Sequence, residues 1–280
     1  MVWNVSAAIV SFFALVFTSA GVAAFGETNS NTASRADSVA LIREALGSKS
    51  TKPSDLRAVM LKVKQAAAKN PLVEQTLASA SAPDASASDM QAALREAAEI
   101  LSFEPVEEAP LPKGFPSLTP VGEIRVSRYP AYRVARTTVS SDEDGAAFWR
   151  LFRHIQSRKI AMTSPVEMSY DEGGAKPQRA EMAFLYRSVE QGELGRDGAV
   201  EVVDFPPQLV LSIGWRGDTN DDNVSAARQL LDAWLRANAA EYCASGKMRV
   251  MGHNSPFVAK QKRYFEVQIP VTATSPPPAQ

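Results

Sequence analysis

Few groups in this chain can do chemistry. It has two histidines, His154 and His253, and one cysteine, Cys243. A single thiol cannot close an intrachain disulfide, and it cannot build a zinc or iron–sulfur site on thiolates. Any metal ligation or proton transfer through imidazole must use His154 or His253. A Cys–His nucleophile pair would need Cys243, and the residues around it give no support for one. There is no Gly-x-Ser-x-Gly elbow, no His-Glu-x-x-His and no phosphate-cradling glycine loop. Asp221 and Asp222 read as acids at a helix start, favoured by the dipole. The sequence therefore holds no catalytic constellation. What remains suits binding. Arg150, Arg153, Arg158 and Lys159 form a basic cluster that can pair with acidic groups. Trp149, Trp215 and Trp234 can stack on a flat ring, and several methionines, Met162 among them, can line an apolar pocket. The ordinary alternatives are a solvated face for the cations and core packing for the rest.

The whole chain is nearly neutral. Its 280 residues include 30 Lys+Arg and 31 Asp+Glu, for a net charge of -1. That balance gives no global electrostatic reason to expect nucleic acid or an acidic membrane surface as a partner. With 45% hydrophobic residues the chain can bury a sizeable core. Residues Val5 to Ala24 are almost wholly apolar or small and end in small-residue patterns that a signal peptidase accepts. No Lys or Arg precedes Arg35, and the run is close to the ~20 residues that span a bilayer. Residues 1–26 are thus read as a cleaved signal peptide or a retained anchor. Either places the rest outside the cytoplasm, periplasmic or extracellular, with membrane contact only through an uncleaved N-terminus.

Composition divides the remainder. Residues 27–102 are Ala- and Ser-rich, with no aromatic between Phe25 and Phe103. Three helical patterns are expected there. Asp37 caps the first, which runs to Gly47. Pro53 or Ser54 opens the second, which Pro71 stops. Ser88 and Asp89 start the third, after a linker-like SASAPDASAS. This region is expected to be a loose helical appendage without its own core. Residues 103–272 follow another grammar. IRVSRYPAYRVARTTV, KIAMTSPVEMSY, RAEMAFLYRS, AVEVVDFP, QLVLSIGWRG, MRVMGH and KRYFEVQIPV read as strands. DEDGAAFWRLFRHIQ and NDDNVSAARQLLDAWLRANAA read as helices with acidic starts. The order strand–helix–strand–strand appears twice, which predicts an α+β fold whose sheets pair into a barrel with a helix outside each half. Residues 273–280 are Pro-rich and are expected to form a disordered tail.

Three segments carry a resemblance. FWRLFRHIQSRKIAMTSPVEM (148–168), MAFLYRS (182–188) and MGHNSPFVAKQKRYFEVQIPV (251–271) resemble the SOUL haem-binding family in composition, order and spacing. The Lys-Ile-Ala-Met-Thr-x-Pro-Val run is the most specific of them. The resemblance covers about Gly122 to Val271, and residues 27–102 match nothing in it. It implies a distorted eight-stranded antiparallel barrel with two packed helices, like the ligand-sensing domains of some bacterial regulators. It also implies haem or another tetrapyrrole as ligand, with no single mode of iron ligation. Where the family often has Tyr at the helix end and before an Asn-Pro turn, this chain has His154 and His253, the latter followed by Asn254-Ser255-Pro256.

In the light of that resemblance, His154 is the best single candidate for haem iron. On the helical wheel Phe148, Leu151, Phe152 and Ile155 form the core stripe, and His154 lies roughly 110° from its middle, a boundary position. Its ordinary alternative is a surface histidine favoured by the helix C-terminus. His253 and Met162 are further haem-contact candidates, set against plain turn chemistry and core packing. Arg150 and Arg153 would face the propionates, and Trp149, which points away from the core stripe, would stack on the ring. The leading expectation is non-enzymatic tetrapyrrole binding in transport, buffering or sensing. The alternatives are a structural or protein-interaction module and a sensor for another apolar or cationic small molecule.

Overall fold

A computed structural model describes residues 29–48, 52–139, 144–171 and 178–274. The expected targeting segment 1–26 and almost all of the expected tail lie outside the described residues. Among the described residues no helix is long and apolar enough to cross a membrane.

Among the described residues four helices come first: α1 (Asn29–Gly47), α2 (Pro53–Ala66), α3 (Pro71–Ser79) and α4 (Ala87–Leu101). Pro71 opens a helix instead of ending one, because the first helical position needs no N–H donor. Asn70 caps α3 by accepting from the Val73 amide at 3.0 Å. Ser86 and Asp89 form a reciprocal capping box at the start of α4. Asp37 lies inside α1 and caps nothing. The expectation of a coreless appendage is corrected as well. Ile42, Val63, Val73, Leu77, Met90 and Leu94 are all fully buried in one cluster. Alanines at the contacts let the helices approach closely, and the four helices themselves contribute no aromatic ring to this core. This cluster also takes in Val121 and Tyr264 from the part of the chain that follows. Arg216 bridges to Glu96 at 2.5 Å and Glu99 at 2.9 Å.

Among the described residues ten strands and two α-helices follow, with one 3-10 turn at Lys260–Lys262. They are β1 (Ile124–Tyr129), β2 (Tyr132–Thr138), α5 (Asp144–Ser157), β3 (Val166–Asp171), β4 (Gln178–Leu185), β5 (Gly195–Asp197), β6 (Val200–Phe205), β7 (Gln208–Arg216), α6 (Asp221–Ala237), β8 (Tyr242–Ala244), β9 (Arg249–Gly252) and β10 (Tyr264–Ala273). The strands form one antiparallel sheet in the order β1-β7-β10-β9-β3-β4-β2-β6-β5, with β8 beside β10. The sheet is open: β1 and β5 end it and do not pair with each other. The expected eight-stranded barrel is thus replaced by a ten-stranded open sheet. The two extra strands, β5 and β8, are three-residue pieces too short to show an alternating pattern. The doubled architecture is visible around the central β9–β3 pair, with α5 packed against β2 and β4 and α6 against β7 and β10.

The sheet's two faces differ. On the outer face Phe265, Val267 and Ile269 of β10 pack with Val224, Ala227 and Leu231 of α6. Likewise Met182 and Phe184 of β4 pack with Ala147, Leu151 and Ile155 of α5. Strand alternation turns Glu266, Gln268, Arg249 and Glu167 to the inner face. There Tyr132 of β2 bonds Arg249 of β9 across two intervening strands, so the sheet is curled. A segment without regular secondary structure, residues 103–119, runs over this inner face as a strap. Its end crosses β7 so closely that a Cβ at Gly214 would overlap the Thr119 carbonyl.

Candidate functional site

The helix α5 and the motif after it hold most of the expected site residues. Phe148, Trp149 and Phe152 are half-buried, and the Trp149 and Phe152 rings meet edge to face at 5.5 Å. Arg150 donates to the Thr137 hydroxyl at 2.8 Å, and Arg153 is exposed. Met162 is half-buried against the apolar cluster under α5.

His154 is buried, at 7% exposure, and not on the boundary as the helical wheel alone implies. Its Nδ1 lies 3.0 Å from Asp197 Oδ2 and its Nε2 lies 3.0 Å from the Tyr186 hydroxyl. Arg158 reaches the same Asp197 oxygen at 3.1 Å. The His154 and Arg158 hydrogen bonds hold the Asp197 carboxyl below its usual range. Burial raises the Tyr186 hydroxyl. Neither Asp197 nor Tyr186 neighbours α5 in sequence, and β4 and β5 bring them to the helix end. Both imidazole nitrogens are engaged, so coordinating iron would require His154 to release one partner.

His253 belongs elsewhere. It directly follows β9 on the inner face, whereas α5 covers the outer face, so the fold does not bring the two histidines together. His253 is 8% exposed. Its Nδ1 lies 3.0 Å from Ser164 Oγ, and its Nε2 is buried without a hydrogen-bond partner. Burial lowers its pKa to about 4, against an opposing pull from Glu266, so the ring is neutral at neutral pH. The Lys-Ile-Ala-Met-Thr-Ser-Pro-Val run connects the two faces. Ile160 closes the core under α5, Thr163 bonds the Leu185 carbonyl at 2.5 Å, and Ser164 reaches both His253 and, through its amide, Pro110 of the strap.

Around His253 lies a polar network that the residue types did not announce. Glu266 Oε1 accepts from the Thr119 amide at 2.7 Å, and its Oε2 accepts from Gln268 at 2.7 Å. Gln268 also donates to the Tyr129 hydroxyl at 2.8 Å and accepts from Arg249 Nε at 3.0 Å. Arg249 faces Glu167 at 3.4 Å. Burial raises Glu167, and the Arg249 charge partly offsets that. Burial likewise raises the hydroxyls of Tyr129 and Tyr132. The only sequence signal for this network was alternation in β10, where Tyr264, Glu266 and Gln268 share one face.

Cys243 is exposed beside Thr272. Among the described residues no cluster of three or more His, Cys, Asp or Glu could hold a metal ion. A cavity of about 150 Å³ lies among α1, α2, α4 and Glu123, and one of about 10 Å³ lies under the strap. Neither approaches the roughly 300 Å³ at which ligand-enclosing pockets begin.

A family model described as SOUL heme-binding protein matches residues 118–270. No curated protein matches the chain. Among solved structures, the C-terminal domain of EcmrR is 16% identical, with 54% of this chain and 97% of that chain covered at a TM-score of 0.41. A hydrolase from Listeria innocua is 12% identical, with 53% and 92% covered at a TM-score of 0.41. SAV2435 bound to tetraphenylphosphonium is 11% identical, with 54% and 94% covered at a TM-score of 0.35. Likenesses at this level carry no argument about what this chain does.

Proposed function

The chain belongs to the SOUL haem-binding family, and from that premise we propose that it is a non-enzymatic binder of haem or a related tetrapyrrole, acting outside the cytoplasm. The observation that carries the site is the half-buried stripe of Phe148, Trp149 and Phe152 on α5, flanked by Arg150 and Arg153. Such a surface offers a flat ring an apolar, stacking contact and its carboxylates two cations. The cavities under the strap and among the first helices are too small for a porphyrin, which favours this open face. Ring stacking and charge pairing supply the binding on this reading. His154 joins as an iron ligand only by exchanging Tyr186 or Asp197 for the metal. The setting outside the cytoplasm rests on the apolar run Val5–Ala24.

Haem titration of the full chain, followed by absorbance, tests the reading. One-to-one saturable binding is expected, with Trp149→Ala weakening it roughly three- to tenfold and Arg153→Ala weakening it less. If a shifted Soret band returns to the free-haem position in His154→Ala, the imidazole is the iron ligand. A spectrum of free haem at every ratio, in the parent and the variants alike, overturns the proposal.

A further inference from the structure

The inner face buries a polar network in which His253 Nε2 has no partner. His253 Nε2 and Glu266 Oε2 face each other at 4.0 Å. Ser164 Oγ lies 3.0 Å from His253 Nδ1 and 3.4 Å from the His253 carbonyl. If the hydroxyl proton goes to the carbonyl, Nδ1–H donates to the hydroxyl and Nε2 is left as a bare acceptor. Two acceptors then oppose each other with no donor between them. In the other tautomer Nε2–H points towards Glu266 from too far for a hydrogen bond. In both cases the gap is wide enough for a third group to bridge, and for the bare acceptor that group is a donor to both. The void beside it, about 10 Å³, has room for about one water or one amino group.

Two aromatic rings, Phe115 and Tyr129, line that void among aliphatic and polar side chains. Phe115 of the strap meets Tyr129 edge to face at 4.9 Å and Tyr132 at 5.4 Å. Tyr132 in turn stacks on Phe205 at 5.1 Å. The tyrosines and Phe205 stand on sheet strands, whereas Phe115 comes from a segment outside every ladder. Point contacts hold that segment, such as Ser164 N to the Pro110 carbonyl at 3.1 Å and Lys113 N to the Arg187 carbonyl at 2.8 Å. The slot for a ring is therefore part of the sheet, and its present occupant is not. Phe115, Tyr129, His253 and Glu266 all border the same void, so the slot is contiguous with the unpartnered His253 Nε2 and the Glu266 carboxylate.

We propose that the inner face beneath the strap is a second ligand site, which takes a planar aromatic ring bearing an N–H donor in the place Phe115 fills. The ring lies between Tyr129 and Tyr132, and its amino group donates to Glu266 and His253. Phe115 competes with the ligand from within the chain. This site lies on the face of the sheet opposite α5, and the proposal stands whether or not haem binds there.

Calorimetric titration of the full chain with aniline and toluene, which differ in the amino group, tests this. Phe115→Ala should bind aniline at least about tenfold more tightly than toluene, and more tightly than the parent chain does. His253→Leu added to Phe115→Ala should reduce the preference, leaving the part that Glu266 supplies. Phe115→Leu keeps apolar bulk at the position, guards against a misfolded alanine variant, and should show the same preference at lower affinity. Equal binding of the two probes, or binding of neither, overturns the site. Parent and Phe115→Ala binding aniline equally overturns the competition by Phe115.

Discussion

The two faces of the sheet are built from the same strands by opposite means. Outside, α5 and α6 cover side chains that are nearly all apolar, from Leu151 and Phe184 to Leu231 and Val267, each at most 2% exposed. Burial of that kind stabilises in proportion to area and needs no exact partner. Inside, Glu167, Arg249, Glu266 and Gln268 are at least as deeply buried as many core residues, yet each depends on specific partners. The outer face holds the fold together. The inner face spends stability on a polar arrangement that leaves His253 Nε2 and Arg249 Nη2 without partners. Such an imbalance within one sheet locates specialised chemistry better than any single residue type does.

Substitutions that strike one face only will break or sharpen the contrast. The largest effect is expected from Arg249→Met, which strands the Glu167 carboxylate and should cost about 3–5 kcal/mol in urea unfolding. Adding Glu167→Leu should restore most of that. No recovery in the double variant would mean that Arg249 serves packing and not charge. On the outer face Leu231→Ala should cost about 3–4 kcal/mol through the cavity it leaves, and the loss should be the same at pH 5 and pH 7.

The faces should also part in their response to acid. Folded, His253 titrates near 4, against about 6.5 when unfolded. Between those values the unfolded chain holds the extra proton, so stability falls as pH drops through that window and this contribution levels off below it. The full loss is about 3 kcal/mol. His253→Gln should remove this limb from a stability–pH profile, and an unchanged profile would show that another group is responsible. The smallest effect belongs to the joint between the first helices and the sheet. Arg216→Ala breaks two partly exposed ion pairs and should cost no more than about 1 kcal/mol, with the difference shrinking in high salt.

Legibility from the residues followed range. Helices α5 and α6 were readable because apolar residues recur at helical spacing, and β7 and β10 because they are β-branched and alternate. The strand expected over KIAMTSPVEMSY begins only at Val166, because Thr163 and Ser164 turn to bond Leu185 and His253. The packing of the first four helices is not legible in the sequence, since an alanine-rich stretch gives little sign of how closely its helices can pack. The expected iron candidate, His154, looked like a boundary residue on its own helix. Tyr186 and Asp197 bury it, and neither is visible from positions 148–157.

The amino-acid order alone thus determined the division into a helical region and a strand-rich region, the two outer helices, and the family likeness in the Lys-Ile-Ala-Met-Thr-Ser-Pro-Val run. Those are local properties, written in the period at which side chains return to the same side of a helix or strand. Only the tertiary structure decided that the sheet stays open, that the two histidines lie on opposite faces, and that Phe115 fills a slot beside Glu266. Each of these depends on groups far apart in the chain, such as Thr119 with Glu266 or Ser164 with His253. No local period records such meetings, because the curl of the whole sheet sets which distant side chains converge.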